Sequence, residues 1–233
     1  MNKLLIIGGN SPMAENLILD NKNNVFKYIF VRNKKKFLLK YENQLDNNYK
    51  LFSCDLLNDK IFNLLLEIDP IDSFCYFPGM PFMQLVKHAK RDVLMDVFEI
   101  NYFKPYFITQ FLLKKKKLNF NSNVLYVSSI SGIDKVANGI SGYSNSKAAL
   151  NNLVKVLTLE SKKLKIKFNT ICPAVIQTDF INEINSISNV KHDDYPLGIG
   201  NPKDLNSIID FFLFNNTWIT GQNIVADGGM SIK

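Results

Sequence analysis

A tyrosine and a lysine four residues apart, Tyr143 and Lys147, are the residues of this chain best suited to chemistry. On a helix this spacing puts both side chains on one face. A neighbouring ammonium favours the phenolate and lowers a tyrosine pKa from about 10 toward working pH. Such a phenol gives a proton to, or takes one from, an oxygen of a bound molecule. With nine tyrosines and many lysines in the chain, one such pair is expected by chance, so its position in the sequence must decide. Ser129 stands fourteen residues before Tyr143, in Val127-Ser128-Ser129-Ile130-Ser131-Gly132, just after an apolar run. Asn101 lies in Glu99-Ile100-Asn101-Tyr102, within a long helical stretch.

The elements that must hold these residues alternate in kind. Leu4–Ile7, Tyr28–Val31, Lys50–Ser53, Ser73–Phe77, Val124–Val127, Lys167–Ile171 and Asn223–Ala226 read as seven short strands. Between them, helical spacing covers Pro12–Asn21, Asn58–Ile68, Val93–Lys117 and Ser144–Leu164, with Pro105 expected to bend or break the third. This alternation predicts an α/β fold: a doubly wound, mostly parallel seven-stranded sheet with helices on both faces, Rossmann-like, in one domain over 1–233. Such sheets bind ligands at the carboxyl ends of their strands, where the residues above fall.

The first strand ends in Gly8-Gly9-Asn10-Ser11-Pro12-Met13-Ala14. Gly8 permits a tight turn, Ser11 suits an N-cap, and Pro12 suits the first helical position. The N–H groups at the start of such a helix can receive a phosphate. By itself the turn is a weak sign.

The ordered set is stronger than its members. The turn at Gly8 is similar to a G-x-x-x-G-x-[GA] nucleotide loop, with Pro12 in place of the middle glycine. It is followed by Asn101, by Ser129, and by Tyr143 with Lys147. After the sixth strand come Pro173-Ala174-Val175-Ile176-Gln177-Thr178, and near the end Ile219-Thr220-Gly221-Gln222 and Asp227-Gly228-Gly229. Over essentially the whole chain this resembles the short-chain dehydrogenase/reductase family, of the simple single-domain kind. The resemblance implies an oxidoreductase that moves hydride between a nicotinamide dinucleotide and a carbonyl/hydroxyl pair. It implies that Tyr143 is the general acid or base and that Lys147 lowers its pKa and binds the nicotinamide ribose. Ser129 would orient the substrate oxygen, with Ser128 as the alternative serine. Asn101 would hold a proton-relay water, with a plain helix-surface amide as its alternative.

For the cofactor, the resemblance points to Gly8, Asn10, Ser11 and Met13 at the phosphates, Asp55 and Leu56 at the adenine, and Gly79 at the adenosine ribose. Pro173, Ile176 and Thr178 join Tyr143 and Lys147 at the nicotinamide end. Arg32 and Asn33 follow the second strand, where an acid would bind a free ribose 2′-hydroxyl. No acid stands there, and a cation suits a 2′-phosphate, so NADP(H) is expected over NAD(H). Tyr76-Phe77-Pro78-Gly79 departs from the family's Asn-Asn-Ala-Gly, and loss of those asparagines predicts a less well braced sheet.

The segment 180–195 reads as a short lid. Its polar residues suit a small or polar substrate, such as a sugar derivative, over a long acyl chain. The alternatives are a 3-oxoacyl carrier-protein reductase, for which Arg91 and Lys114–Lys117 offer a basic surface, and a non-catalytic nucleotide-binding relative. The family's association surfaces predict a homodimer or homotetramer.

Composition narrows the classes further. The net charge is +7, but the lysines at 34–36 and 114–117 lack interleaved arginines and aromatics, so no nucleic-acid partner is expected. Three scattered cysteines, Cys54, Cys75 and Cys172, read as reduced thiols of a cytoplasmic protein. With His88 and His192 the only histidines, no metal site is expected. Leu4–Ile7 is too short for a membrane span or a signal peptide, and no later apolar run is long enough to span.

Overall fold

The computed structural model describes residues 1–19, 24–178 and 196–232. Seven strands form one sheet: β1 (Asn2–Ile7), β2 (Val25–Val31), β3 (Tyr49–Ser53), β4 (Ile71–Tyr76), β5 (Leu118–Val127), β6 (Lys167–Pro173) and β7 (Asn223–Ala226). Their order is β3-β2-β1-β4-β5-β6-β7. Every neighbouring pair is parallel, so the sheet is wholly and not mostly parallel. The order reverses between β1 and β4, which opens a crevice at their carboxyl ends. Apolar side chains alternate to the two faces and build a core on each. Leu5, Ile7, Phe30, Phe74 and Tyr126 lie in one; Leu4, Ile6, Ile29, Cys75 and Leu125 lie in the other. The expected domain's lid, 180–195, lies outside the described residues, as does the end of the first expected helix.

The helices are α1 (Glu15–Leu19), α2 (Lys34–Tyr41), α3 (Lys60–Leu66), α4 (Arg91–Phe98), α5 (Lys104–Lys114), α6 (Ser141–Glu160) and α7 (Asn206–Asp210). Most of them correct the sequence reading, and α7 was not foreseen at all. α1 is preceded by a separate 3-10 turn, Pro12–Ala14, with Ser11 at the N-cap position but no side-chain cap bond. α2 was not foreseen, because its three leading lysines hide the apolar positions Phe37 and Tyr41, which are buried. The stretch 93–117 is interrupted by a π-turn, Glu99–Phe103, that lies before Pro105. Pro105 has no N–H for the carbonyl of Asn101. The chain accommodates it by widening the preceding turn, where Lys104 N–H donates to the Glu99 carbonyl, and Pro105 then sits in the first turn of α5. That widened turn carries Asn101.

No helix among the described residues is long and apolar enough to cross a membrane.

Candidate active site

Tyr143 lies in the first turn of α6, and Lys147 follows one turn later on the same side. The Lys147 Nζ lies 5.9 Å from the centre of the Tyr143 ring. It donates to the Val127 carbonyl at the end of β5, at 2.9 Å. Lys147 is only 2% exposed, and burial pushes its ammonium down to about 8.

Tyr143 is half-buried. Its phenol is pushed up to about 12, chiefly by burial; a hydrogen bond from Ser129 works in the other direction. Here the simple expectation fails, since the lysine one turn away does not make this phenol acidic. Desolvation outweighs it, and Lys147 spends part of its charge on a carbonyl. The group holding the phenol's pKa down is Ser129.

Ser129 is buried at the head of a 3-10 turn, Ile130–Gly132, and its Oγ accepts from Ser131 N at 3.1 Å. Ser128 instead points at α6, donating to the Lys147 carbonyl at 3.4 Å. Of the two serines, Ser129 is the one bonded to Tyr143.

Asn101 is 0% exposed and is not a surface amide. Its Oδ1 accepts from Met80 N at 2.7 Å. Its Nδ2 donates to the Met80 carbonyl at 3.0 Å and to Ser146 Oγ at 3.0 Å. Ser146 in turn donates to the Tyr143 carbonyl at 2.8 Å. Met80 and Ser146 were missed in the sequence: one acts through its backbone, and the other stands inside Tyr143-Ser144-Asn145-Ser146-Lys147 without a distinguishing mark.

The departures after β4 also find a use. Tyr76, at the end of β4, donates to the Ile100 carbonyl at 2.7 Å, so it ties the sheet, where less bracing was expected, to the π-turn. Pro78 packs on Gly8, where a Cβ would lie 2.9 Å from its ring; Gly8 has φ +91°, a left-handed conformation that glycine tolerates. Gly79 faces Lys147 and Asn101, with its open side 3.5 Å from Lys147 Nζ, and so lies at the Tyr143 end of the crevice.

The other predicted residues stand at or just beyond the ends of β1, β2, β3 and β6. Asn10 and Asn33 join the first two strand ends, with Asn33 N donating to Asn10 Oδ1 at 3.2 Å and Asn10 Nδ2 to the Asn33 carbonyl at 3.3 Å. Asn33 also caps α2, accepting from Lys36 N at 2.9 Å. Arg32 is exposed. Ser11 N closes the glycine turn onto the Gly8 carbonyl at 2.8 Å, and Met13 packs against the core. The Asp55 carboxylate accepts from Leu57 N at 3.0 Å, and Leu56 packs inward. Pro173 ends β6 in register with Ala226. The Ile176 side chain is buried against Gly200, and Thr178 Oγ1 donates to the Ile176 carbonyl at 3.3 Å. Among the described residues no cluster of His, Cys, Asp or Glu could hold a metal ion.

A family model described as Enoyl-(Acyl carrier protein) reductase matches residues 43–231. The chain belongs to the short-chain dehydrogenase/reductase family. Its members are oxidoreductases with nicotinamide cofactors. This chain is 28% identical to the 3-oxoacyl-[acyl-carrier-protein] reductase of Rickettsia felis over 192 residues, 81% of this chain and 79% of that one. It is 34% identical to a chloroplastic tropinone reductase homolog of Arabidopsis thaliana over 127 residues, which are 52% of this chain and only 38% of that protein. A solved 4-hydroxyisoleucine dehydrogenase complexed with NADH superposes with a TM-score of 0.86 at 25% identity, covering all of both chains. ElxO with NADP bound superposes with a TM-score of 0.82 at 21% identity, covering 100% of this chain and 99% of that one, and likewise shares the fold.

The residues at the Tyr143 end fit such a cofactor. Lys147 has three protons, and Val127 takes one. The others adjoin Gly79, whose missing side chain leaves room for sugar hydroxyls.

Proposed function

We propose that this enzyme reduces a carbonyl group with NADPH, using Tyr143 as the proton donor. The observation that carries this reading is the hydrogen-bonded unit of Ser129 and Tyr143 on one side of a buried Lys147, braced from behind by Asn101. When bound, the nicotinamide supplies the hydride. Tyr143 gives its proton to the developing alkoxide oxygen, a base far stronger than a carbonyl. A protonated phenol is the form this direction needs, and burial keeps Tyr143 protonated well past neutrality. Ser129 donates either to the substrate oxygen or to the phenol, and so stabilises charge on whichever holds it. Lys147 holds the ribose hydroxyls and passes a proton toward Tyr143. Its depressed pKa lets it release that proton near working pH. Asn101, its side chain committed to Met80 and Ser146, would hold a relay water through the acceptor positions those bonds leave open.

Gly8, Asn10, Ser11 and Met13 would hold the pyrophosphate, Asp55 and Leu56 the adenine, and Pro173, Thr178 and the Ile176 backbone the carboxamide. For the 2′-phosphate the supporting feature is α2. Lys34, Lys35 and Lys36 occupy its first turn, where the helix dipole is already positive. This costs helix stability unless an anion binds beside it. Arg32 and Asn33 precede that turn, and no acid stands among them to repel a phosphate.

The polar sequence of 180–195 favours a small or polar substrate, a sugar derivative among them. The relationship to 3-oxoacyl-[acyl-carrier-protein] reductases favours a second substrate, a 3-oxoacyl group on a carrier. As in the family at large, a homodimer or homotetramer is the assembly we favour.

The test is a fluorescence titration with NADPH and NADH, followed by a screen of sugar ketones and 3-oxoacyl thioesters read by NADPH absorbance. Tighter binding of NADPH and turnover of either class are expected. Binding of neither dinucleotide would leave only a non-catalytic relative.

A further inference from the structure

Helix α6 presents a polar residue to the interior at three successive turns: Tyr143, Lys147 and then Asn151. The first two have roles in the proposed reaction; Asn151 has none so far. It is 4% exposed, in the middle of a helix, where an unpaired carboxamide is costly. Every polar atom of its side chain is engaged. Nδ2 donates to the Gly132 carbonyl at 3.1 Å. Oδ1 accepts from Thr170 Oγ1 on β6 at 3.1 Å and from Cys172 Sγ at 3.5 Å.

The bond to Gly132 reaches the turn that carries Ser129. Gly132 lies directly against the helix: a Cβ there would stand 2.7 Å from the Lys147 carbonyl carbon and 2.8 Å from Ala148 N. Backbone thus meets backbone, leaving the position along the helix to be set by contacts around it, the Asn151 carboxamide 2.9 Å from the same point among them. Two of these contacts are hydrogen bonds, Ser128 Oγ to the Lys147 carbonyl at 3.4 Å and Asn151 to Gly132. Thr170 extends the chain of bonds to Asn223 Oδ1 on β7, at 2.8 Å. The threonine has one proton for two carboxamide oxygens, so turning the Asn223 amide gives a chain in which each donor meets an acceptor. The serine turn is thereby tied through α6 and β6 to the edge of the sheet.

We infer that Asn151 is a positioning residue, which clamps the Gly132 turn and so fixes where Ser129 stands relative to Tyr143. This rests on the reading of Tyr143 as proton donor. A leucine would fill the same space and bury more cheaply, but it would release the turn.

The experiment compares Asn151→Leu, Asn151→Asp and Thr170→Val in the full chain. Asn151→Asp keeps the acceptor for Thr170 and loses the donor to Gly132; Thr170→Val does the reverse. We expect both Asn151 variants to lower kcat about tenfold or more while the KM for the dinucleotide stays within about twofold. We expect the basic limb of their pH–kcat profile to move, because the Ser129 bond to the phenol is displaced while Lys147 keeps its own partner. Thr170→Val should lose thermal stability with kcat and pH limb unchanged.

If Asn151→Leu does not fold, Asn151→Asp carries the comparison. Folded Asn151 variants that keep the native kcat and the native basic limb would overturn the positioning role and leave the enzyme reading standing. An unaltered chain that binds neither NADPH nor NADH and turns over nothing in the screen would overturn the enzyme reading, and this inference with it.

Discussion

The two ends of the crevice are built in opposite ways. At the Tyr143 end Asn101 and Lys147 are buried and Tyr143 is half-buried. Between them they are bonded to several elements: Lys147 to β5, Asn101 to the Met80 loop and α6, and Tyr143 to the serine turn. At the Arg32 end Arg32, Asn33 and Asp55 are exposed, and apart from the Asn10–Asn33 pair that joins two strand ends the bonds are local caps and turns. In the buried end desolvation sets the pKa values and moves them far. In the exposed end water screens every charge, so selectivity must come from several weak contacts acting together. One end is suited to proton transfer at a defined point, and the other to recognising a charge.

The sharpest way to break this contrast is to remove the phenol. Tyr143→Phe should lower kcat about 10³-fold, with NADPH affinity, set largely at the other end, within about twofold by fluorescence titration. A variant that turned over normally would show that the proton comes from elsewhere.

Lys147→Met probes the buried end through stability. The folded Lys147 holds its proton only to about 8, whereas an unfolded lysine holds it to about 10.5. Between these values unfolding takes up a proton, so this group's contribution to stability rises with pH and its cost is greatest below about 8. The stability of Lys147→Met relative to the native chain should therefore be highest near neutrality. That difference should shrink by as much as ~3 kcal/mol by pH 10.5, followed as urea midpoints across the range. A difference independent of pH would mean that the amine is not desolvated.

Arg32→Asp probes the exposed end and carries the smallest effect. The preference for NADPH over NADH should fall about tenfold, as expected for reversing one solvent-screened charge, with kcat at saturating cofactor little changed. An unchanged preference in the ratio of kcat/KM values would move the 2′-phosphate site to Lys34–Lys36 alone.

How legible each end was follows from where its information is stored. Five of the seven strands were found within a few residues of their true bounds, and Asn223–Ala226 where it stands, because buried parallel strands are short apolar runs ended by glycine, proline or polar residues. β5 begins earlier than its apolar run, at Leu118, because its first turns are half exposed and read as loop. α2 escaped notice because charge masks its two buried aromatics. The break in the long helical stretch was anticipated from Pro105 but misplaced, since the proline is accommodated by the turn ahead of it.

At the site, the sequence alone determined that Tyr143 and Lys147 share a helix face, that Ser129 and Gly79 follow strands, and that no acid stands after β2. These are matters of spacing and residue type, and the chain carries them locally. Only the tertiary structure decided the direction of the Tyr143 pKa, which of Ser128 and Ser129 bonds that phenol, and the partners of Asn101. Each depends on burial, or on a contact between segments tens of residues apart. Met80 meets Asn101, and Tyr76 meets Ile100, through backbone groups that every residue has, and so nothing in the letters of the sequence marks them.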